Sequence, residues 1–384
     1  MLKILHISPY YKPAQIYGGP VNSISSLCEN LALLNSEVTV FTTNANGKRA
    51  LDFTPHQTIL NEVEVHYFKR WTGDSTFFAP SLLKKLWQES AKFDVIHIHT
   101  WWNLVALFSV FICWMKGIKP ILSTRGMIGD YSFGYGQIRM KKWVHFLIGK
   151  WLLKKTILHA TVLNEANEGL KINEHWDYFI APNIVNLPES TFNNSSSKIS
   201  NNSIFQLLFL SRIHEVKGLE LLFESLSNLS FDWHLKIAGD GDEQYVNSLK
   251  NLAKQFQIAP KITWLGWVNN ESKETLFRTS DLFVLLSKSE NFGNVIIESL
   301  AEGLPVLISQ EVGASDYVKT SGLGWVCNRN PFSVQSVIEE IQTNLNNRNQ
   351  IVQIAPRKVR VDFDGQILAR QYLIYYNKLK YKAV

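Results

Sequence analysis

Short apolar runs alternate with longer segments whose apolar positions recur every three or four residues, from one end of the chain to the other. Residues 2–7 (LKILHI), 37–42 (EVTVFT) and 95–98 (VIHI) read as buried strands. Between the first two, 22–34 places Ile24, Leu27, Leu31 and Leu34 on one helical face. A strand–helix–strand order of this kind implies a parallel sheet. The alternation stops at 188–203 (PESTFNNSSSKISNNS), a stretch of Ser and Asn nearly free of large apolar residues, which reads as a linker or surface loop. It then resumes. Strands are predicted over 205–210 (FQLLFL), 234–238 (HLKIA), 261–265 (KITWL), 282–286 (LFVLL) and 305–308 (PVLI), with helices over 219–229 and 365–380. The expected fold class is α/β: two Rossmann-like, doubly wound domains, 1–182 and 204–364, joined by 183–203 and facing a central cleft. In such sheets ligands bind beyond the carboxyl ends of the strands, so the loops after strands are where chemistry is sought.

Three loops stand out. After the strand at 282–286 comes Glu290-Asn291-Phe292-Gly293-Asn294-Val295, with Glu298 expected in the first turn of the helix that follows. Backbone amides of 293–295 at a helix start form a ready anion site. Gly293 lets a phosphate approach the backbone. Glu298 suits the vicinal hydroxyls of a ribose, and Glu290 those of a hexose. The plain alternative is that Glu298 only complements the helix dipole and Glu290 is solvated. After the strand at 205–210, Arg212 and Lys217 flank a second loop, and two fixed cations can neutralise a diphosphate. A pair of basic loop residues is otherwise often just solvated. The third loop holds Gly18 and Gly19 and carries no dinucleotide fingerprint.

Composition narrows the class. A chain of 384 residues, 46% hydrophobic and 19% charged, has the makeup of a folded two-domain protein. Cys28, Cys113 and Cys327 are far apart and match neither a disulfide framework nor a metal spacing. The first apolar run is too short for a signal sequence. The longest, 104–115, has 12 residues where roughly 20 are needed to span a bilayer. A cytoplasmic location is expected. The net charge of +6 is uneven: residues 1–182 hold 19 Lys/Arg and 13 Asp/Glu, which points to an anionic partner for the first half. Residues 139–155 (RMKKWVHFLIGKWLLKK) follow a helical pattern, with Met140, Val144, Leu147, Ile148, Trp151 and Leu152 opposite Arg139, Lys142, His145 and Lys150. This is either a helix that lies on an anionic membrane or an ordinary domain helix with a solvated basic face. No nucleic-acid motif accompanies the positive charge.

The three loops, taken with Asp94 to His99, Ala181-Pro182-Asn183, Gly239-Asp240-Gly241 and Gly266-Trp267-Val268, resemble glycosyltransferase family 4, the retaining enzymes of the GT-B fold. The resemblance spans nearly the whole chain and is similar to bacterial polysaccharide and lipopolysaccharide glycosyltransferases. It implies that Arg212 and Lys217 hold a donor diphosphate together with the amides of 293–295 and the Gly18-Gly19 loop. Glu298 would bind the ribose, Glu290 the sugar, and Trp267-Val268 would border the base. The final helix, 365–384, would pack back on the first domain. The donor would be a UDP- or GDP-sugar, the acceptor a saccharide or lipid-linked saccharide at the inner membrane surface. No metal or cofactor is expected. This chain departs from many relatives in having Arg125-Gly126-Met127 where they carry a histidine. Arg125, always protonated, is a candidate for a sugar hydroxyl or an acceptor phosphate. His97 and His99 are expected on opposite faces of their strand end, with His99 a candidate acceptor contact. Competing readings are a nucleotide-sugar epimerase of the same fold and a non-catalytic nucleotide-sugar-binding subunit.

Overall fold

The computed structural model describes residues 1–51, 57–73, 75–129, 148–187 and 204–380. The chain divides into two compact units, Met1–Asn186 with Phe363–Val384, and Leu187–Asp362. The division falls within the stretch read as a linker.

The strands of the first unit are β1 (Lys3–Ser8), β2 (Glu37–Thr43), β3 (Ala45–Asn46), β4 (Arg49–Ala50), β5 (Gln57–Leu60), β6 (Val63–Phe68), β7 (Val95–His99), β8 (Ile121–Ser123), β9 (Ile157–Ala160) and β10 (Tyr178–Ile180). Eight of them form one sheet in the order β10-β9-β8-β7-β1-β2-β6-β5. All its neighbours are parallel except β5 and β6. The central strands are buried on both faces, which is why they read as continuous apolar runs. The first helix runs Gly19–Leu33, three residues earlier than its apolar spacing suggests. Pro20 fits the first turn, where no N–H is needed, and Gly18 serves as N-cap with φ 63°.

The second unit holds β11 (Phe205–Leu210), β12 (Trp233–Ala238), β13 (Ile262–Gly266), β14 (Leu282–Leu285), β15 (Val306–Ser309) and β16 (Gly324–Cys327). They form one parallel sheet in the order β13-β12-β11-β14-β15-β16. The winding reverses between β11 and β14, so the loops after these two strands leave the sheet side by side.

The final helix, Gly365–Lys380, belongs to the first unit and lies against Gly19–Leu33: a Cβ on Gly365 would stand 2.7 Å from Asn30 Oδ1. Its Tyr372 and Tyr376 are buried. Of the helix read over 139–155, residues 139–147 lie outside the described residues. Lys150–Leu153 is helical, but its apolar side chains part company: Leu152 is buried, whereas Ile148 and Trp151 are exposed.

Candidate active site

In the second unit the two loops at the winding reversal are joined directly. Lys217 Nζ donates to Glu290 Oε2, an ion pair with both side chains mostly buried. The backbone closes the same gap, since Lys288 N donates to Val216 O at 2.6 Å. Gly218 makes this approach possible. Its φ of 74° favours glycine, and a Cβ there would lie 2.1 Å from Leu286 O. On its other side the Glu290 loop rests on residues 311–314. Glu290 N donates to Glu311 O, Gly313 N to Glu290 O and Ala314 N to Phe292 O. A Cβ on Gly313 would stand 1.8 Å from Asn291 O. Glu290 is thus held by backbone on both flanks.

The helix after this loop is Asn294–Ala301, with Gly293 as N-cap at φ 88° and no side chain capping it. Its positive end therefore opens beside the Lys217–Glu290 pair. Val295 and Asn294 are half-buried there, and Phe292 is buried beneath. Glu298 falls in the second turn, not the first, and its Oε2 accepts from Lys273 Nζ at 3.0 Å. Sequence reasoning did not single out Lys273, or the 311–314 loop; neither carries a signal until the helix Asn270–Arg278 and β15 are placed. Arg212 is exposed at the mouth of its loop. Trp267, just past β13, is 68% exposed and Val268 half-buried, so an indole face is open at the third strand end. The second unit therefore gathers Lys217, Glu290, Glu298 and the amino end of Asn294–Ala301 beyond the carboxyl ends of its two central strands.

In the first unit, Gly18 leaves open space where a Cβ would stand, so its glycine is required by conformation rather than crowding. Arg125 also has a positive φ, 52°. Its guanidinium donates to Ser23 Oγ at 2.8 Å, Asn183 Oδ1 at 3.2 Å and His99 Nδ1 at 3.4 Å. Its Nε is buried with no partner among the described residues. The loop is pinned by Glu165, a buried carboxylate that accepts from Thr124 Oγ1, Gly126 N, Thr161 N and Thr161 Oγ1 at 2.8–3.0 Å.

His97 and His99 do not face opposite ways. Residues two apart on a strand share a face, and their ring centroids are 4.2 Å apart. They join His6, opposite His97 on the neighbouring β1, and His159 on β9, which the register sets beyond Ser123 of the intervening β8. All four are fully buried. Burial pushes His6 and His159 down to about 3 and holds His97 and His99 well below their ordinary value, so all four are neutral imidazoles. Their hydrogen-bond directions then follow. Arg125 can only donate, so His99 Nδ1 accepts, and His99 Nε2–H donates to His6 Nδ1 at 2.9 Å. In the second chain the Ala181 carbonyl can only accept, so His159 carries its proton on Nε2. Ser123 Oγ–H donates to His159 Nδ1, His97 Nε2–H to Ser123 Oγ, and Tyr376 O–H to His97 Nδ1 at 2.7 Å. His99 is thus fully engaged within the protein. Ring nitrogens of His6, His97 and His99 lie within 4.8 Å of one another, a spacing open to metal, but the Arg125 charge beside them opposes a cation. His6 and His97, each near the carboxyl end of a strand read from the sequence, were the available signal; His159 lies on β9, which that reading did not assign.

Comparison with known proteins places the whole chain. The family model for glycosyl transferases group 1 matches residues 192–358, and that for glycosyltransferase family 4 matches 17–161. An uncharacterised glycosyltransferase of Methanocaldococcus jannaschii is 26% identical over 98% of both chains. Among solved structures, sucrose-phosphate synthase of Thermosynechococcus elongatus superposes with TM-score 0.76 at 17% identity over 99% of both chains. Anabaena HepE, solved in complex with UDP and glucose, gives TM-score 0.74 at 18% identity over 98% of this chain and 100% of that one. These likenesses share the GT-B fold. With both halves of the chain matched by models of this family, the protein belongs to the family 4 glycosyltransferases.

Proposed function

We propose that this glycosyltransferase moves a hexose from a UDP- or GDP-sugar to a saccharide acceptor, with the anomeric configuration kept and without a metal. The observation that carries the reading is the Lys217–Glu290 pair beside the uncapped amino end of Asn294–Ala301, at the winding reversal of the second sheet. Bond cleavage to the nucleoside diphosphate leaves negative charge on the β-phosphate. Lys217, Arg212 and the amides of 293–295 meet that charge, and fixed donors of this kind are worth ~3–4 kcal/mol each in comparable sites. The acceptor oxygen bonds to the anomeric carbon as the bond to the phosphate oxygen breaks. The departing phosphate takes the hydroxyl proton. Glu290 holds sugar hydroxyls and Glu298 the ribose, displacing Lys273 from one carboxylate oxygen. Trp267 and Val268 border the base. HepE, in its complex with UDP and glucose, supports a nucleotide-sugar donor.

The positive first half favours an anionic, lipid-linked acceptor at the inner face of the cytoplasmic membrane, hence assembly of cell-surface polysaccharide or lipopolysaccharide. The test is consumption of a panel of UDP- and GDP-sugars, in the presence of a chelator, with isoprenoid-linked saccharides as acceptors. Lys217→Ala is expected to lower kcat/KM about 10²–10³-fold at a temperature where the variant is folded, its unfolding transition lowered because the mostly buried Glu290 carboxylate loses its partner. A wild-type protein that consumes no donor, or a Lys217→Ala variant as active as wild type, overturns the reading. Loss of activity in chelator ends the metal-independent part alone.

A further inference from the structure

The helix Leu104–Met115 (LVALFSVFICWM) contains no charged residue and one hydroxyl, Ser109. An ordinary surface helix turns its polar side chains outward. Here the arrangement is inverted. Ser109 is fully buried, and its Oγ has no partner among the described residues. Val105, Ala106, Val110 and Cys113 face the core beside it. The outward side chains are Phe108, Phe111, Trp114 and Met115, which are 41%, 40%, 37% and 50% exposed. The aromatic surface continues beyond the helix, because Trp114 meets the exposed Trp151 edge to face at 4.6 Å. Isolated exposed apolar residues need no explanation, but a contiguous face of large ones marks a contact surface.

The surrounding charge says what it contacts. Lys116, which follows Met115 and whose Nζ lies 4.1 Å from the Trp87 ring centroid, and Lys150 and Lys154, within three residues of Trp151, are exposed, and Lys155 Nζ stands 5.7 Å from the Trp151 ring centroid. The described residues from Val95 to Asn164 carry six Lys/Arg and no Asp or Glu. Large aromatics ringed by lysines match the boundary of an anionic bilayer, where rings enter the headgroup layer and cations meet phosphates. A second copy of this chain is disfavoured, because a self-complementary contact would set the same lysines against one another. Spanning is also out of reach, since 12 residues cover ~18 Å of a hydrocarbon core about 30 Å thick.

We propose that the outer face of helix Leu104–Met115, with Trp151 and the adjacent lysines, docks the first unit onto an anionic lipid surface. This deepens the membrane part of the reading above and does not depend on the donor residues. Co-sedimentation of the full chain with phosphatidylcholine vesicles, with and without added phosphatidylglycerol, tests it. Binding is expected only with phosphatidylglycerol and is expected to weaken in high salt. Phe111→Ser with Trp114→Ser should bind at least about tenfold more weakly. Because Phe111 and Trp114 are only about 40% exposed, this variant is compared at a temperature where its unfolding curve shows it folded, and Lys150→Glu with Lys154→Glu, at exposed positions that should leave the unfolding transition unchanged, gives an independent second variant. No binding by wild type, undiminished binding by both double variants, or a concentration-dependent dimer that leaves vesicles unbound would overturn the proposal. Donor consumption without vesicles, measured in parallel, reports on the transferase reading separately.

Discussion

Glu165 shows how one residue governs a loop whose importance is read elsewhere. Its two carboxylate oxygens accept four hydrogen bonds from Thr124, Gly126 and Thr161, and so hold Arg125 in a backbone conformation unfavourable to a side chain. Glu165→Gln replaces an all-acceptor group with one that is half donor, leaving buried donors facing an NH₂. A stability loss on the order of 1–3 kcal/mol follows, read as a lower urea midpoint. An unchanged midpoint would show that Arg125 is held by its own contacts to Ser23, Asn183 and His99. The glutamates at 290 and 298 differ in kind. Glu290 and Glu298 are each paired with a partly exposed lysine, Lys217 and Lys273, where an entering ligand can take over either cation or carboxylate. Spacing alone identified the acids; it said nothing of Lys273, which comes from a helix some 25 residues away.

At the scale of elements, the final helix is fastened by polar groups as much as by packing. Tyr376 donates to His97 Nδ1, while Tyr372 donates to Pro182 O and lies 3.0 Å from His159 Nε2. Burial pushes both phenols up, so both stay protonated donors. Removing either hydroxyl has a different consequence. Tyr376→Phe leaves His97 Nδ1 buried and unpaired, which costs about 1–3 kcal/mol. Tyr372→Phe leaves His159 still bonded to Ala181 O and should cost less. Urea unfolding of the two variants checks the order, and a Tyr372→Phe loss equal to or larger than that of Tyr376→Phe would refute the directed chain. The helix itself was legible in the sequence over 365–380. Its docking site was not, because histidines on three strands become neighbours only when the sheet is assembled.

For the whole molecule, the buried histidines make acid stability a property of the first unit. A buried neutral histidine has a folded pKa below that of the unfolded chain, so between the two values the unfolded state binds more protons and stability falls as the pH drops. His6 and His159, at about 3 against an ordinary 6.5, confer stability that is present above 6.5 and lost between 6.5 and 3. Each amounts to about 2 kcal/mol between pH 7 and pH 5. His214 and His234, in the second unit, are partly exposed and only lowered. Hydrogen exchange at pH 5 should therefore show earlier opening in β1, β7 and β9 than in β11 and β14; equal loss in both units would contradict it. By itself the chain's periodicity determined two α/β units, eight of their strands to within one residue at each end, and the loops that bear Lys217, Glu290 and the glycines, while β5, β6, β8, β9, β10 and β16 were not read from it; backbone geometry and apolar burial are encoded locally in 2- and 3.6-residue repeats. Tertiary structure alone decided which loops meet, that Glu298 pairs with Lys273, and that four histidines from three strands share one face. Those outcomes depend on sheet order and register, which bring together residues 25, 73 and 93 positions apart and which no short window of sequence contains.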